Sequence, residues 1–204
     1  PVAALGEYVY AWSILPTLGP KNMAELVALA KSKPGQLTYG TPGAGSATNL
    51  RGETWNKMAG IEVVHVPYRG GTEAIIDLLG GRLDVMIDYA TFPHAKAGKV
   101  LLLAMTTSRR HPDFPDVPTI KETGYDIGLP TFLSLYGVKG TPPEIVQKMA
   151  GAVKEITTSP EYEQRLLQIG FFAMQQTGQD VVKLTEESSK DFKTWVEKTG
   201  LKIE

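Results

Sequence analysis

Cysteine is absent from this 204-residue chain. That excludes disulfides, thiolate metal sites and cysteine nucleophiles, and is compatible with an oxidising compartment without proving one. An excess of one charge is missing too. The 21 Lys and Arg residues nearly balance 22 Asp and Glu, for a formal charge of −1, which gives no reason to expect nucleic acid or an anionic membrane as partner. No apolar run approaches the ~18 residues needed to cross a bilayer, so direct membrane insertion is not expected. Histidine is scarce: His65, His94 and His111 show no metal spacing such as H-E-x-x-H and read as structural or surface residues. The expectation is no metal and no cofactor. Residues 1–6 carry no basic n-region and do not read as a signal peptide.

What remains is 42% hydrophobic and 21% charged, the make-up of a soluble globular chain with one large domain or two small ones. Its most informative stretch runs from Tyr39 to Asn49, Tyr-Gly-Thr-Pro-Gly-Ala-Gly-Ser-Ala-Thr-Asn. It is a glycine-rich turn leaving a strand and entering a helix. Glycines there allow tight backbone paths and close ligand approach. The helix start offers unpaired N–H groups and partial positive charge, a seat for an anion. Nucleotide motifs do not fit. Gly40 and Gly45 keep P-loop spacing, but Ser46 stands where lysine belongs. Gly43-Ala44-Gly45 is followed by Thr48 at the third glycine position of a dinucleotide fingerprint, and G-x-S-x-G is absent. An ordinary strand-to-helix turn with no ligand is the bland alternative.

Period and punctuation predict alternating strands and helices. Tyr8–Leu15 reads as a strand stopped by Pro16, and Asn22 caps a helix over Met23–Ser32 with Glu25 completing a capping-box-like pattern. A short strand Leu37–Gly40, a helix Ala47–Met58, a strand Ile61–Val66, a helix Glu73–Leu79 capped by Thr72, and strands Leu83–Ile87 and Val100–Met105 follow. This alternation predicts a mostly parallel sheet with helices on both faces. The loops Thr41–Thr48, Pro67–Gly71 and Asp88–Phe92 would then converge at the carboxyl rim, where such sheets bind ligands. Beyond Pro130 the pattern changes to a strand over Thr131–Val138, helices from Pro142 or Pro143 to about Thr158 and from Pro160 to Ile169, a strand Phe171–Met174, and a final helix after Gly178 to about Lys198. This last part has few strands and reads as part of a second lobe.

Several runs resemble one family. Tyr39–Ser46, His65-Val66-Pro67-Tyr68-Arg69-Gly70-Gly71, and Asp77-Leu78-Leu79-Gly80-Gly81-Arg82-Leu83-Asp84-Val85-Met86 look like the Bug family, the periplasmic solute receptors of tripartite tricarboxylate transporters. Lys96-Ala97-Gly98-Lys99, Asp116-Val117-Pro118-Thr119 and Gly140-Thr141-Pro142-Pro143 extend the match across the chain. The resemblance implies an α/β periplasmic-binding-protein-like clamshell, with residues 8–128 as a complete solute-binding lobe and 129–204 as the C-terminal part of the other. It also implies that the chain starts late, since family members carry further sequence ahead of this start. A non-enzymatic, periplasmic receptor is implied, with a small organic carboxylate (di- or tricarboxylate, amino acid or aromatic acid) as ligand and transporter membrane subunits as partners.

Carried over by position, the carboxylate would be held by amides and hydroxyls of Thr41, Gly43, Ala44, Gly45, Ser46, Ala47 and Thr48, with Tyr68, Asp88 and Tyr89 completing the rim. Asp88 is awkward beside an anion and would orient amides or water, or recognise an ammonium or hydroxyl group. Arg69 is expected to face solvent. Two other functions stay open at this point: an enzyme acting on a small anionic metabolite, which lacks an evident base-plus-nucleophile pair, and a ligand-sensing module for a signalling partner.

Overall fold

A computed structural model describes residues 1–127 and 131–199. The chain divides into two compact units, one built from residues 9–127 and the other from residues 1–8 with 131–198. The boundary between residues 128 and 129 expected from the resemblance lies outside the described residues.

The larger unit holds a five-stranded sheet. Its strands are β2 (Ala11–Ile14), β3 (Thr38–Thr41), β4 (Val64–Pro67), β5 (Val85–Asp88) and β6 (Leu101–Met105), in the spatial order β4-β3-β5-β2-β6. β3 runs parallel to β4, with Tyr39 opposite His65, and parallel to β5, with Tyr39 opposite Val85. β2 lies antiparallel to both β5 and β6, so four of the five strands share one direction. The mostly parallel sheet expected from the βα alternation is present, with one reversed strand in it. All four residues of β2 are buried, as befits a strand with neighbours on both edges.

Helices α1 (Met23–Ser32), α2 (Ala47–Ala59), α3 (Gly71–Leu79) and the short α4 (Phe92–Lys96) belong to the same unit. α1 starts as the sequence predicts. The Asn22 carboxamide oxygen accepts the Glu25 N–H at 2.9 Å, and the Glu25 carboxylate reaches back to the Lys21 N–H at 2.8 Å. These bonds satisfy donors that a helix start otherwise leaves open. Leu26 and Ala30 of α1 and Leu78 of α3 are fully buried. So are Trp12 of β2 and Trp55 of α2, which meet edge to face with ring centroids 6.4 Å apart. That geometry suits the aromatic quadrupole.

The smaller unit is a three-stranded antiparallel sheet in the order β7-β1-β8, formed by β1 (Ala3–Tyr8), β7 (Phe132–Leu135) and β8 (Phe171–Ala173). Helices α5 (Pro143–Thr157), α6 (Pro160–Gln168) and α7 (Gln179–Thr199) accompany it. Ser159 caps α6 by accepting the Tyr162 N–H at 3.2 Å, and the Tyr162 hydroxyl donates to the Leu5 carbonyl at 3.0 Å. Tyr8 packs on Phe171 with ring centroids 4.3 Å apart. Among the described residues no helix is long and apolar enough to cross a membrane.

Three sequence expectations fail in instructive ways. The strand expected over Tyr8–Leu15 is confined to β2, Ala11–Ile14, and Tyr8 instead closes a separate strand, β1, which the sequence reading leaves out. Between them Tyr10 exchanges backbone and hydroxyl bonds with Thr106, its N–H donating to Thr106 Oγ1 at 3.1 Å and its carbonyl accepting the Thr106 N–H at 2.9 Å. A period-2 pattern cannot reveal a change of sheet, because the chain is extended on both sides of the break. Second, α3 begins at Gly71 with Gly70 before it, and Thr72 does not cap it. A Cβ at Gly71 would stand 3.0 Å from Asp88 Oδ1, so the Asp88 carboxylate occupies the space beside the helix start. Third, the span Asp88–Phe92 is no open loop, but a 3-10 turn over Tyr89–Thr91 leading into α4. Strand ends also move toward the rim, with Val64–Pro67 in place of Ile61–Val66 and Val85–Asp88 in place of Leu83–Ile87.

Candidate functional site

Strand β3 delivers Thr41 to the carboxyl end of the sheet, and the chain turns through Pro42–Gly45 before α2. Gly43 and Gly45 have φ of 137° and 71°, values that side chains with a Cβ rarely adopt. The turn leaves residues 44 and 45 exposed, while Thr48 and Asn49 are buried beneath it. Ser46 is the N-cap: its hydroxyl accepts the Asn49 N–H at 3.2 Å and donates to the Gly43 carbonyl at 2.7 Å. Thr41 Oγ1 donates to the same carbonyl at 3.1 Å and sits 2.7 Å from His65 Nε2. With the Thr41 proton on Gly43, the His65 ring donates from Nε2. Burial holds His65 below the ordinary histidine range, with the Glu53 charge opposing it, so the neutral ring is favoured near pH 7.

These bonds sort the predicted donors into two groups. The hydroxyl protons of Thr41 and Ser46 are engaged within the loop, and the Gly45 N–H donates to Asn49 Oδ1 at 2.9 Å. Thr48 Oγ1 lies 3.3 Å from Ser46 Oγ. By contrast, among the described hydrogen bonds none takes the backbone N–H of Gly43, Ala44, Ala47 or Thr48. Ala47 and Thr48 are the first two residues of a 13-residue helix, where open amides and the helix dipole favour negative charge.

The neighbouring loops close on this turn. The Tyr68 N–H donates to the Thr41 carbonyl at 3.0 Å, and a Cβ on Gly43 would lie 3.9 Å from the Tyr68 carbonyl. The Tyr68 hydroxyl donates to Asp77 Oδ2 at 3.0 Å. Burial first, then that carboxylate, pushes the phenol up to about 12. The ring packs against Gly40, where a Cβ would come within 3.0 Å of Tyr68 Cε2 and 2.5 Å of Leu83 Cδ2. Arg69 is exposed, as expected.

Asp88 is 3% exposed. Its Oδ1 accepts the Ala90 N–H at 2.8 Å, and the Tyr89 N–H supports it as well. Burial nevertheless holds this carboxyl above the ordinary carboxylate range, against the pull of those two amides. Asp88 therefore caps its own turn. Thr91 reinforces that turn by donating to the Asp88 carbonyl at 3.0 Å and accepting the Ser13 hydroxyl at 2.8 Å. Tyr89 is half-buried, with its ring 6.3 Å from that of Tyr10. Arg51 of α2 lies on Tyr10, its guanidinium carbon 5.2 Å from the ring centroid, and its Nη1 donates to the Ala47 carbonyl at 2.9 Å.

The three loops thus meet at one rim of the larger unit. Sequence reasoning missed Tyr39, Glu53 and His65, which form with Asn49 the layer beneath it. Asn49 had a local signal, since it follows the cap Ser46 by three residues. Tyr39, Glu53 and His65 had none, because their partners come from other elements.

Known proteins resemble this chain in sequence and in fold. The model of the "Tripartite tricarboxylate transporter family receptor" matches residues 1–201. A UPF0065 protein of Cupriavidus necator is 35% identical over 190 residues, spanning 92% of this chain and 58% of the relative. A Rhodopseudomonas palustris protein solved with adipate superposes with a TM-score of 0.89 at 29% identity, covering 98% of this chain and 68% of that one. MatC of the same organism, solved with bound malate, gives 0.81 at 26% identity, covering 98% and 69%. The chain spans between about half and three fifths of the length of the first curated relatives it matches. The fold is that of the α/β periplasmic binding proteins, and the chain belongs to the tripartite tricarboxylate transporter receptor family.

Proposed function

We propose that this chain is the solute-binding portion of a periplasmic receptor that holds a small organic carboxylate and passes it to the membrane subunits of a tripartite tricarboxylate transporter. In this reading residues 8–128 form the binding lobe, and residues 129–204 contribute to the second. The observation that carries it is the set of open amides at Gly43, Ala44, Ala47 and Thr48, at the start of a long helix on the rim of a mostly parallel sheet. Such a seat favours an anion without attacking it. Thr41 Oγ1 lies 2.7 Å from His65 Nε2, but its proton goes to the Gly43 carbonyl and not to the ring. Relatives of the same fold were solved with adipate and malate, and both are dicarboxylates. A dicarboxylate is therefore the first ligand class to test, ahead of tricarboxylates, amino acids and aromatic acids.

Each amide bond to a carboxylate contributes about 1.5–3 kcal/mol as a charge-assisted hydrogen bond. Three or four of them give about 4.5–12 kcal/mol before the entropy loss of association, against ~8 kcal/mol net for micromolar affinity, so contacts beyond the loop must add to them. The test is a thermal-shift and calorimetric series with adipate, malate and the uncharged 1,6-hexanediol. At a hundredfold excess over Kd, a ligand stabilises the folded state by about 2.7 kcal/mol, a rise of roughly 5–10 °C for a chain of this size. The acids raise the melting temperature and the diol does not. Equal response to acid and diol, or no response to any carboxylate, would remove the reading.

A further inference from the structure

The open amides rest on a chain of side chains with a fixed direction. Tyr39 is fully buried on β3, and its ring fills the space that a Cβ at Gly52 would need. Helix α2 is notched to receive it. The Tyr39 hydroxyl donates to Glu53 Oε1 and accepts from Asn49 Nδ2 at 2.9 Å. Asn49 is thereby turned so that its oxygen faces the loop, where it accepts the Gly45 N–H at 2.9 Å.

The donor and acceptor inventory admits this arrangement and opposes its reverse. A carboxylate only accepts, so the Tyr39 proton goes to Glu53. The phenol oxygen then needs a donor, which the Asn49 amino group supplies. Rotating that amide by half a turn would set its amino group against the Gly45 N–H and its oxygen against a phenol already donating elsewhere. Burial, and after it the Glu53 carboxylate, hold the Tyr39 phenol well above the ordinary tyrosine range, with Asn49 opposing. The hydroxyl therefore remains a donor throughout the neutral range.

We propose that Tyr39, Asn49 and Glu53 are positioning residues that polarise the anion loop. They withdraw the Gly45 N–H from the solute and keep the Gly43, Ala44, Ala47 and Thr48 amides as its donors. The value of this layer for binding rests on the proposed reading of the loop as the solute seat. Its structural half stands independently, because the Gly45 amide reports on it with no ligand present.

The test uses the whole chain with three variants, read by solvent-exchange NMR on the Gly45 amide and by calorimetry with adipate. Tyr39→Phe keeps the ring packed at Gly52 and removes only the hydroxyl. Asn49→Asp keeps an oxygen for Gly45, and Asn49→Leu keeps none. The Gly45 exchange rate rises severalfold in Tyr39→Phe and Asn49→Leu, stays near wild type in Asn49→Asp, and Leu102 in β6 is unaffected in all three. Adipate affinity falls about 2- to 12-fold in Tyr39→Phe, the range for one neutral hydrogen bond. An unchanged Gly45 amide in Tyr39→Phe overturns the proposal, as does equal exchange in the Asp and Leu variants. If the wild-type chain fails to bind adipate while Gly45 responds as stated, the positioning layer stands and the solute assignment falls.

Discussion

Gly52→Ala is the sharpest probe of how α2 seats on β3. In an isolated helix interior the change stabilises by about 1 kcal/mol, since alanine is the best helix former and glycine among the poorest. Here the new methyl would collide with Cε2, Cζ and the hydroxyl oxygen of Tyr39. That ring is fully buried and bonded at its far end to Glu53 and Asn49, so it has no free direction in which to yield. Overpacking a tight core costs roughly 1–3 kcal/mol, and a three-atom collision belongs at the upper end. The net is a loss of about 2 kcal/mol, or roughly 4–8 °C in melting temperature for a chain of this length. The assay is thermal unfolding followed by near-ultraviolet circular dichroism, where buried Trp12 and Trp55 report on the same unit. A Tyr39→Ala background supplies the control. With the ring gone, Gly52→Ala should turn stabilising by about 1 kcal/mol, and the double-mutant cycle should show strong coupling. A melting temperature for Gly52→Ala at or above wild type would refute the packing argument.

Two further outcomes follow from the same geometry. Ser46→Ala removes the acceptor of the Asn49 N–H and the donor to Gly43, and should cost about 1 kcal/mol as a lost N-cap, measured by chemical denaturation; no loss would mean that the cap bond contributes nothing. Asp88→Asn should raise the melting temperature at pH 7. The folded protein holds this carboxyl above its ordinary range through burial, so its stabilising contribution is complete below the unfolded-state value and disappears as pH rises through the folded one. Melting curves from pH 4 to 8 should show wild type losing ground to the Asn variant on going up; a wild type that gains ground would reverse the sign.

The sequence made much of this fold legible because its signals are local. α1 begins after Asn22 and α2 at Ala47, as the sequence predicts, and each start is capped by a bond that spans only three residues. The glycine-rich turn ahead of α2 was readable for the same reason, as its glycines and the helix start fall within eleven consecutive residues. What stayed hidden depends on partners far along the chain. Whether an extended run pairs with residues 85–105 or with 132–173 leaves no mark on its own alternation, so Tyr8 reads into the strand of β2 and β1 goes unread. The role of Asp88 was hidden too, because a lone acid at a strand end looks the same whether it greets solvent or caps its own turn. Gly71 held the clue to that arrangement, visible only once Asp88 is placed beside it.

The reversed strand β2 has a kinetic consequence. Residues 11–14 are synthesised well before both of their neighbours, which arrive only with residues 85–88 and 101–105. The middle of the sheet therefore waits on two long-range closures, each carrying the entropy of a loop of seventy residues or more. Folding of the larger unit is expected to be slow compared with a helical bundle of equal size. Until then Trp12 and Ile14 have no sheet to shield them, and that interval is when a chaperone or a wrong strand would find them.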